Sequence, residues 1–209
     1  MMDDADVREV RQTPQPELGK RLRAIRLESG RSLAEVAQAT EISPSFLSMV
    51  ENGNSDISIG RLLRLTQHYG AEIAQVVSGA DKAPQDVVHA GERRSLVSMK
   101  EGLEIEFLAE AHRPLRPLIV RFEPQGGMLE PVRDSGDAFL YVLAGELVVE
   151  VDGEPPLVLR DGDSVYLPGD RARLYRNHTD EPVTLLSVVL RQEALADAAA
   201  TTTRGAVSH

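Results

Sequence analysis

Ser43, Ser45, Ser48, Met49 and Asn52 fall within one short stretch, SPSFLSMVEN, spaced so that a helix would carry them along its outer side. A hydroxyl both donates and accepts, so Ser45 and Ser48 can meet base edges in the major groove of DNA, and Met49 can pack on a thymine methyl. Ser43 and Asn52, at the two ends, suit phosphate oxygens, which position a protein without reading sequence. None of the five is a bidentate arginine or glutamine reader, each worth about 1–3 kcal/mol of discrimination. A single such helix therefore binds weakly. Two copies on half-sites about one helical turn apart are the expected arrangement.

The surrounding residues supply elements that would hold this helix in place. Ser32 followed by Glu35 is a capping box, and Leu33, Val36 and Ala37 give the apolar spacing of a helix packed on one face. Ile42 plugs the turn. Ser43 is an N-cap with Pro44 in the first helical position, and Gly53 ends the second helix. Phe46, Leu47 and Val50 face inward. Leu18, Leu22 and Ile25 mark a preceding helix; Ile59, Leu62, Leu63 and Leu65 mark a following one between Ser58 and Gly70. Ile73, Val76 and Val77 mark a short fifth. The whole pattern over residues 17 to 78 resembles the phage-repressor-like (XRE) helix-turn-helix regulators, with SPSFLSMVENG in the place of the recognition helix and its exit. The resemblance implies DNA binding, with Arg26 and Glu51 paired so that the arginine positions the backbone.

Charge narrows how such a domain could hold DNA. The chain of 209 residues carries a formal charge of −10, so attraction to phosphates must be local. Between Glu17 and Gly70, Lys20, Arg21, Arg23, Arg26, Arg31, Arg61 and Arg64 face six acids: Glu17, Glu28, Glu35, Glu41, Glu51 and Asp56. The DNA-contacting set is expected to be Ser43, Pro44, Ser45, Ser48, Met49 and Asn52 with Arg23 and Arg26. Arg23 and Arg61 are equally readable as solvated surface charges.

Beyond Gly79–Gly91, a Pro-, Gly- and charge-containing linker, the periodicity changes to alternation. Strands are expected at Ser95–Lys100, Leu103–Ala109, Leu118–Phe122, Ala138–Leu143, Glu146–Val151, Leu157–Leu159, Ser164–Leu167, Arg173–Arg176 and Val183–Leu190. Turn signals such as Asp152-Gly153, Asp161-Gly162 and Pro168-Gly169 separate them, which reads as an antiparallel sandwich or jelly roll. This half resembles a small-barrel cupin. The first motif runs from Gly126 to the FLYVLAGE segment at Phe139–Glu146, and the second from Asp161 to Pro168 and on to Asn177.

The turn framework of those motifs is intact, but the metal ligands are not. Where the family places histidines and a glutamate, this chain has Val132, Asp134, Ala138 and Arg173. One carboxylate is far short of three or four ligands. His68, His89, His112, His178 and His209 stand elsewhere. No bound metal and no other cofactor is expected. A metal-dependent cupin oxidoreductase of the epoxidase kind, which shares this domain order, thus loses its chemistry, and a non-enzyme is expected. The cupin resemblance places Asp134, Leu140, Tyr166, Arg173 and Tyr175 inside the barrel. A buried guanidinium requires an anionic partner. Either Arg173 pairs with Asp134 in a ligand-free dimerisation scaffold, or it grips the carboxylate or phosphate of a small anionic or zwitterionic effector. The outward strand face, including Tyr141 and Val149, is the expected dimer surface.

The chain has no cysteine, no apolar run long enough for a membrane span, and an acidic start, MMDDADVREV. A cytoplasmic location is expected. The fold class is an α + β two-domain chain: a five-helix lambda-repressor-like DNA-binding domain followed by an antiparallel β-barrel of the cupin or jelly-roll kind. The boundaries read as a disordered tail over 1–15, the helix-turn-helix domain over 16–79, a linker over 80–93, the cupin over 94–192 and a disordered tail over 193–209. Expected partners are a double-stranded DNA operator, a small-molecule effector and a second copy of the chain held through the cupin.

Overall fold

The computed structural model describes residues 11–12, 15–71, 73–78, 87–109, 114–133 and 136–190. Asp134 lies outside them. So do His112, His209, residues 79–86 of the expected linker and most of both expected tails.

The N-terminal half folds as α1 (Gln15–Glu28), α2 (Leu33–Thr40), α3 (Pro44–Glu51), α4 (Ile59–Tyr69) and α5 (Ile73–Ser78). Local chemistry sets the ends. Ser32 and Glu35 form the expected capping box, with the Ser32 amide donating to the Glu35 carboxylate at 2.8 Å. The Ser43 hydroxyl accepts from the Phe46 amide at 3.3 Å, and Ser58 caps α4. Glu41 ends α2 in the left-handed region (φ 58°), and Gly70 ends α4 there without the penalty a side chain brings. Leu18, Leu22, Val36, Leu47, Val50, Leu62 and Leu65 close the core among the helices.

The C-terminal half is two packed sheets. β1 (Arg11–Gln12), β2 (Arg94–Ser98), β3 (Leu103–Phe107), β4 (Leu115–Phe122), β10 (Val183–Leu190), β5 (Ala138–Ala144) and β8 (Ser164–Leu167) lie side by side in that order. β7 (Leu157–Leu159), β6 (Leu147–Val151) and β9 (Arg173–Arg176) make the second sheet. Pairing is antiparallel except for β1 on β2. β1 corrects the expectation of a wholly structureless N-terminal tail: Arg11 and Gln12 lie opposite Arg94 and Ser95. Two expectations of side-chain direction are also overturned. Val149 points into the core and is fully buried, because β6 alternates from a buried Leu147. Tyr166 points outward and is 63% exposed, because Leu167 is the inward residue of β8 and Tyr166 pairs with the outward Phe139.

The two halves meet along α4. Ile59 and Leu62 are buried there, and α5 packs on β2. The Glu101 carboxylate, on the β2–β3 turn, is 2% exposed. It accepts from the Ile59 amide (2.9 Å), the Ser98 hydroxyl (2.8 Å) and the Leu129 amide (3.0 Å). A carboxylate from the cupin half thus satisfies a free amide at the N-terminus of α4, where the helix dipole favours negative charge. Glu130 pairs with Arg61 at 2.8 Å and Arg64 at 3.0 Å, and Gln67 donates to the Arg133 carbonyl.

Candidate nucleic-acid interface and cupin cavity

α3 presents the expected residues on one side. Ser43, Pro44, Ser45, Met49 and Asn52 are exposed and Ser48 is half-buried. The Ser43 and Ser45 hydroxyls are 3.2 Å apart, and the Asn52 amide donates to the Ser48 carbonyl at 2.8 Å. Behind them, Leu47 and Val50 anchor α3 in the core.

Arg26 does not share this surface. It is buried and donates through Nε and Nη2 to the two Glu51 oxygens at 2.7 and 2.8 Å, and through Nη1 to the Arg31 carbonyl at 3.0 Å. Its hydrogen bonds to Glu51 hold the guanidinium above its ordinary value. The pair ties α1 to the last residue of α3, so Arg26 positions the helix and does not face a phosphate. Burial, with the Glu51 carboxylate adding to it, pushes the Tyr69 phenol up to about 12. Other basic side chains are also occupied: Arg21 donates to the Val76 and Val77 carbonyls, and Arg64 to the Thr40 carbonyl and Glu130. Arg61 stacks over Phe46 at 5.0 Å as well as pairing with Glu130. Arg23 remains exposed.

In the cupin half, the strands enclose a cavity of about 90 Å³. Leu140, Arg173 and Tyr175 line it as expected, while Tyr166 does not. The Tyr166 hydroxyl instead donates to Asp137, whose carboxyl this bond and the Gly169 amide hold below its ordinary value. Arg173 is 2% exposed. Its hydrogen bonds go to the carbonyls of Leu167 (3.5 Å) and Gly136 (3.3 Å), and Nε has no partner. Apolar side chains, among them Phe107, Val120, Phe122, Met128 and Leu185, make up most of the wall. Among the described residues no group of three or more His, Asp or Glu stands close enough to hold a metal.

Ile59 and Leu63 of α4 and Ile73 of α5 also line the cavity. The sequence reading assigned all three to the helical core. A signal was available: Ile59, Leu62, Leu63 and Leu65 span about 160° of the helix at 100° per residue, more than one packed face needs. Glu101 and Glu130 left no such trace, because a carboxylate beside a surface turn reads as solvated.

Comparison with known proteins agrees with this division. Residues 17–77 match the family described as a helix-turn-helix domain, and residues 118–189 match the cupin domain. The chain is 25% identical over 138 residues to the HTH-type transcriptional regulator PuuR of Escherichia coli strain K12, covering 65% of this chain and 75% of that protein. It is 38% identical over 64 residues to the HTH-type transcriptional regulator RamB of Mycobacterium tuberculosis, covering 31% of this chain and 14% of that one. Its fold matches the crystal structure of an HTH_3 family transcriptional regulator from Vibrio cholerae with a TM-score of 0.69 at 19% identity, covering 85% and 96% of the two chains. No described helix is long and apolar enough to cross a membrane. The chain joins an N-terminal helix-turn-helix domain to a C-terminal cupin domain, and it is a DNA-binding transcriptional regulator.

Proposed function

We propose that this regulator works in the cytoplasm as a homodimer on a double-stranded operator, and that its cupin domain senses a small anionic or zwitterionic metabolite without catalysing a reaction on it. The observation that carries the sensor reading is Arg173: a buried guanidinium in a cavity wall, satisfied among the described residues only by two long carbonyl contacts. A charge in that position is stabilised by an anion that bonds it from two sides. In each protomer α3 enters the major groove, with Ser45, Ser48 and Met49 toward base edges and Ser43, Pro44, Asn52 and Arg23 toward the backbone. The outer face of the large sheet supports the dimer: Phe139, Tyr141 and Leu143 of β5 are exposed there, beside Leu186 and Val188 of β10. An apolar stripe of this kind marks an association surface.

Arg173→Ala tests the sensor. The variant is expected to lose the thermal stabilisation that an effector from a metabolite panel gives the native chain, while binding operator unchanged in the effector's absence. Retained stabilisation in the variant overturns the role of Arg173. If no member of the panel stabilises the native chain or alters operator binding, the cupin is a scaffold.

A further inference from the structure

Two guanidinium groups line the cupin cavity: Arg173, which is fully buried, and the half-buried Arg116, which has a partner of its own. No Asp or Glu is among the described residues lining that wall. A cationic ligand would bring a second positive charge beside a buried guanidinium in low dielectric, which is strongly unfavourable. A polyol or sugar would leave hydroxyls against Phe107, Val120, Phe122, Met128 and Leu185, a further cost of desolvation. The chemistry that satisfies both features has one anionic end for Arg173 and a compact apolar body for the rest.

The second observation concerns who supplies the wall. Ile59, Leu63 and Ile73 come from the DNA-binding domain, and they face the same space as Arg173 and Leu140 of the cupin. Met128 and Val132 line it too, on the segment whose Leu129 amide donates to Glu101 and whose Glu130 pairs with Arg61 and Arg64 of α4. Nothing need be transmitted over a distance.

We infer that the cavity takes a compact apolar monocarboxylate, bound through Arg173, whose body packs against Ile59, Leu63 and Ile73, so that the effector is itself part of the joint between the two domains. This rests on the sensor reading above and narrows it. A ligand touching both domains differs in contact energy between two placements of α4, which is the condition for shifting their balance.

The test uses the full chain and three matched probe pairs in calorimetry: isovalerate with isoamylamine, benzoate with benzylamine, and hexanoate with hexylamine. Operator binding is followed in parallel on a duplex selected by repeated rounds of binding. At least one carboxylate is expected to bind, and its amine is not. Arg173→Gln should weaken the carboxylate at least about tenfold, as expected for loss of a charge-assisted bond, whereas Arg173→Lys should keep the preference for carboxylate over amine.

Leu63→Ala, in the DNA-binding domain, should shift preference toward the longer hexanoate by about fourfold per methylene accommodated. Ile73→Val reads the same wall should Leu63→Ala fail to fold. Amine binding that alters operator affinity overturns the monocarboxylate assignment and leaves the sensor standing. Carboxylate binding with unchanged chain-length preference in both wall variants overturns the shared wall. If none of the six probes binds, the ligand class is wrong. If in addition no compound of a broad panel alters operator affinity, the sensor reading falls with it.

Discussion

At the residue scale, the two buried arginines play opposite roles. Arg26 is fully engaged by Glu51 and the Arg31 carbonyl. Breaking such a pair leaves one charge buried and alone, which costs about 3–5 kcal/mol. Arg26→Ala is therefore expected to reduce the unfolding free energy of the helical half by that order, with a lower denaturation midpoint, and to weaken operator binding only through misplacement of α3. A chemical-denaturation curve followed by helix signal measures it, and an unchanged midpoint would contradict the account. Arg173 lacks such a carboxylate partner among the described residues, which is what the proposed binding role requires. Glu104 gives a residue-scale test of pH. Burial, with the neighbouring Glu106 adding to it, raises its carboxyl above the ordinary value. A folded state that holds the proton more tightly gains stability below the ordinary value and loses it as pH rises through the raised one. Glu104→Gln should match the native chain near pH 4 and exceed it at pH 7, by less than about 1 kcal/mol since the site is partly exposed. Thermal melts at the two pH values check the sign.

At the element scale, what the sequence disclosed depended on whether local chemistry or tertiary packing set each feature. β7, β8, β9 and β10 have the bounds read from the sequence, because Asp161-Gly162 and Pro168-Gly169 fix the turns between strands. β4 starts three residues earlier than expected. Pro117 reads as a breaker, but its carbonyl accepts from Leu108, so its missing N–H faces the side on which β3 has already ended. The inward phase of β8 was misread at Tyr166, since four residues with one apolar pair carry little alternation. The helix caps at Ser32, Ser43 and Ser58 were legible because each is a contact within three residues. The cap that Glu101 supplies to α4 was not, because it joins residues 42 apart in sequence. Removing it by Glu101→Ala leaves the Ile59 and Leu129 amides without an acceptor, at about 1–3 kcal/mol each. Limited proteolysis should then cut between the two halves faster than in the native chain. Equal cutting rates would show that the contact does not hold the domains together.

At the scale of the whole molecule, a recognition helix of serines and one methionine calls for the proposed doubling of the chain. The domain has few free cations near α3, and Arg21, Arg61 and Arg64 are spent on protein contacts. Affinity must then come from two half-sites held at fixed spacing. Phe139→Glu combined with Tyr141→Glu on the outer sheet face is expected to give a monomer by sedimentation and to weaken operator binding by at least about 100-fold. A dimer that survives both charges would place the interface elsewhere. The proposed coupling runs through α4 and α5, which line the cavity and pack against α2 and α1, the helices that hold α3.

The most direct test of this coupling is fluorescence anisotropy of a selected operator duplex, titrated with the native chain and with Arg173→Gln, each with and without the tightest-binding carboxylate probe at saturation. The native chain should change its operator affinity at least about fivefold on adding the probe, while the variant, equal to it without probe, should not respond. An operator affinity that stays constant while calorimetry shows the cavity filled would contradict the account.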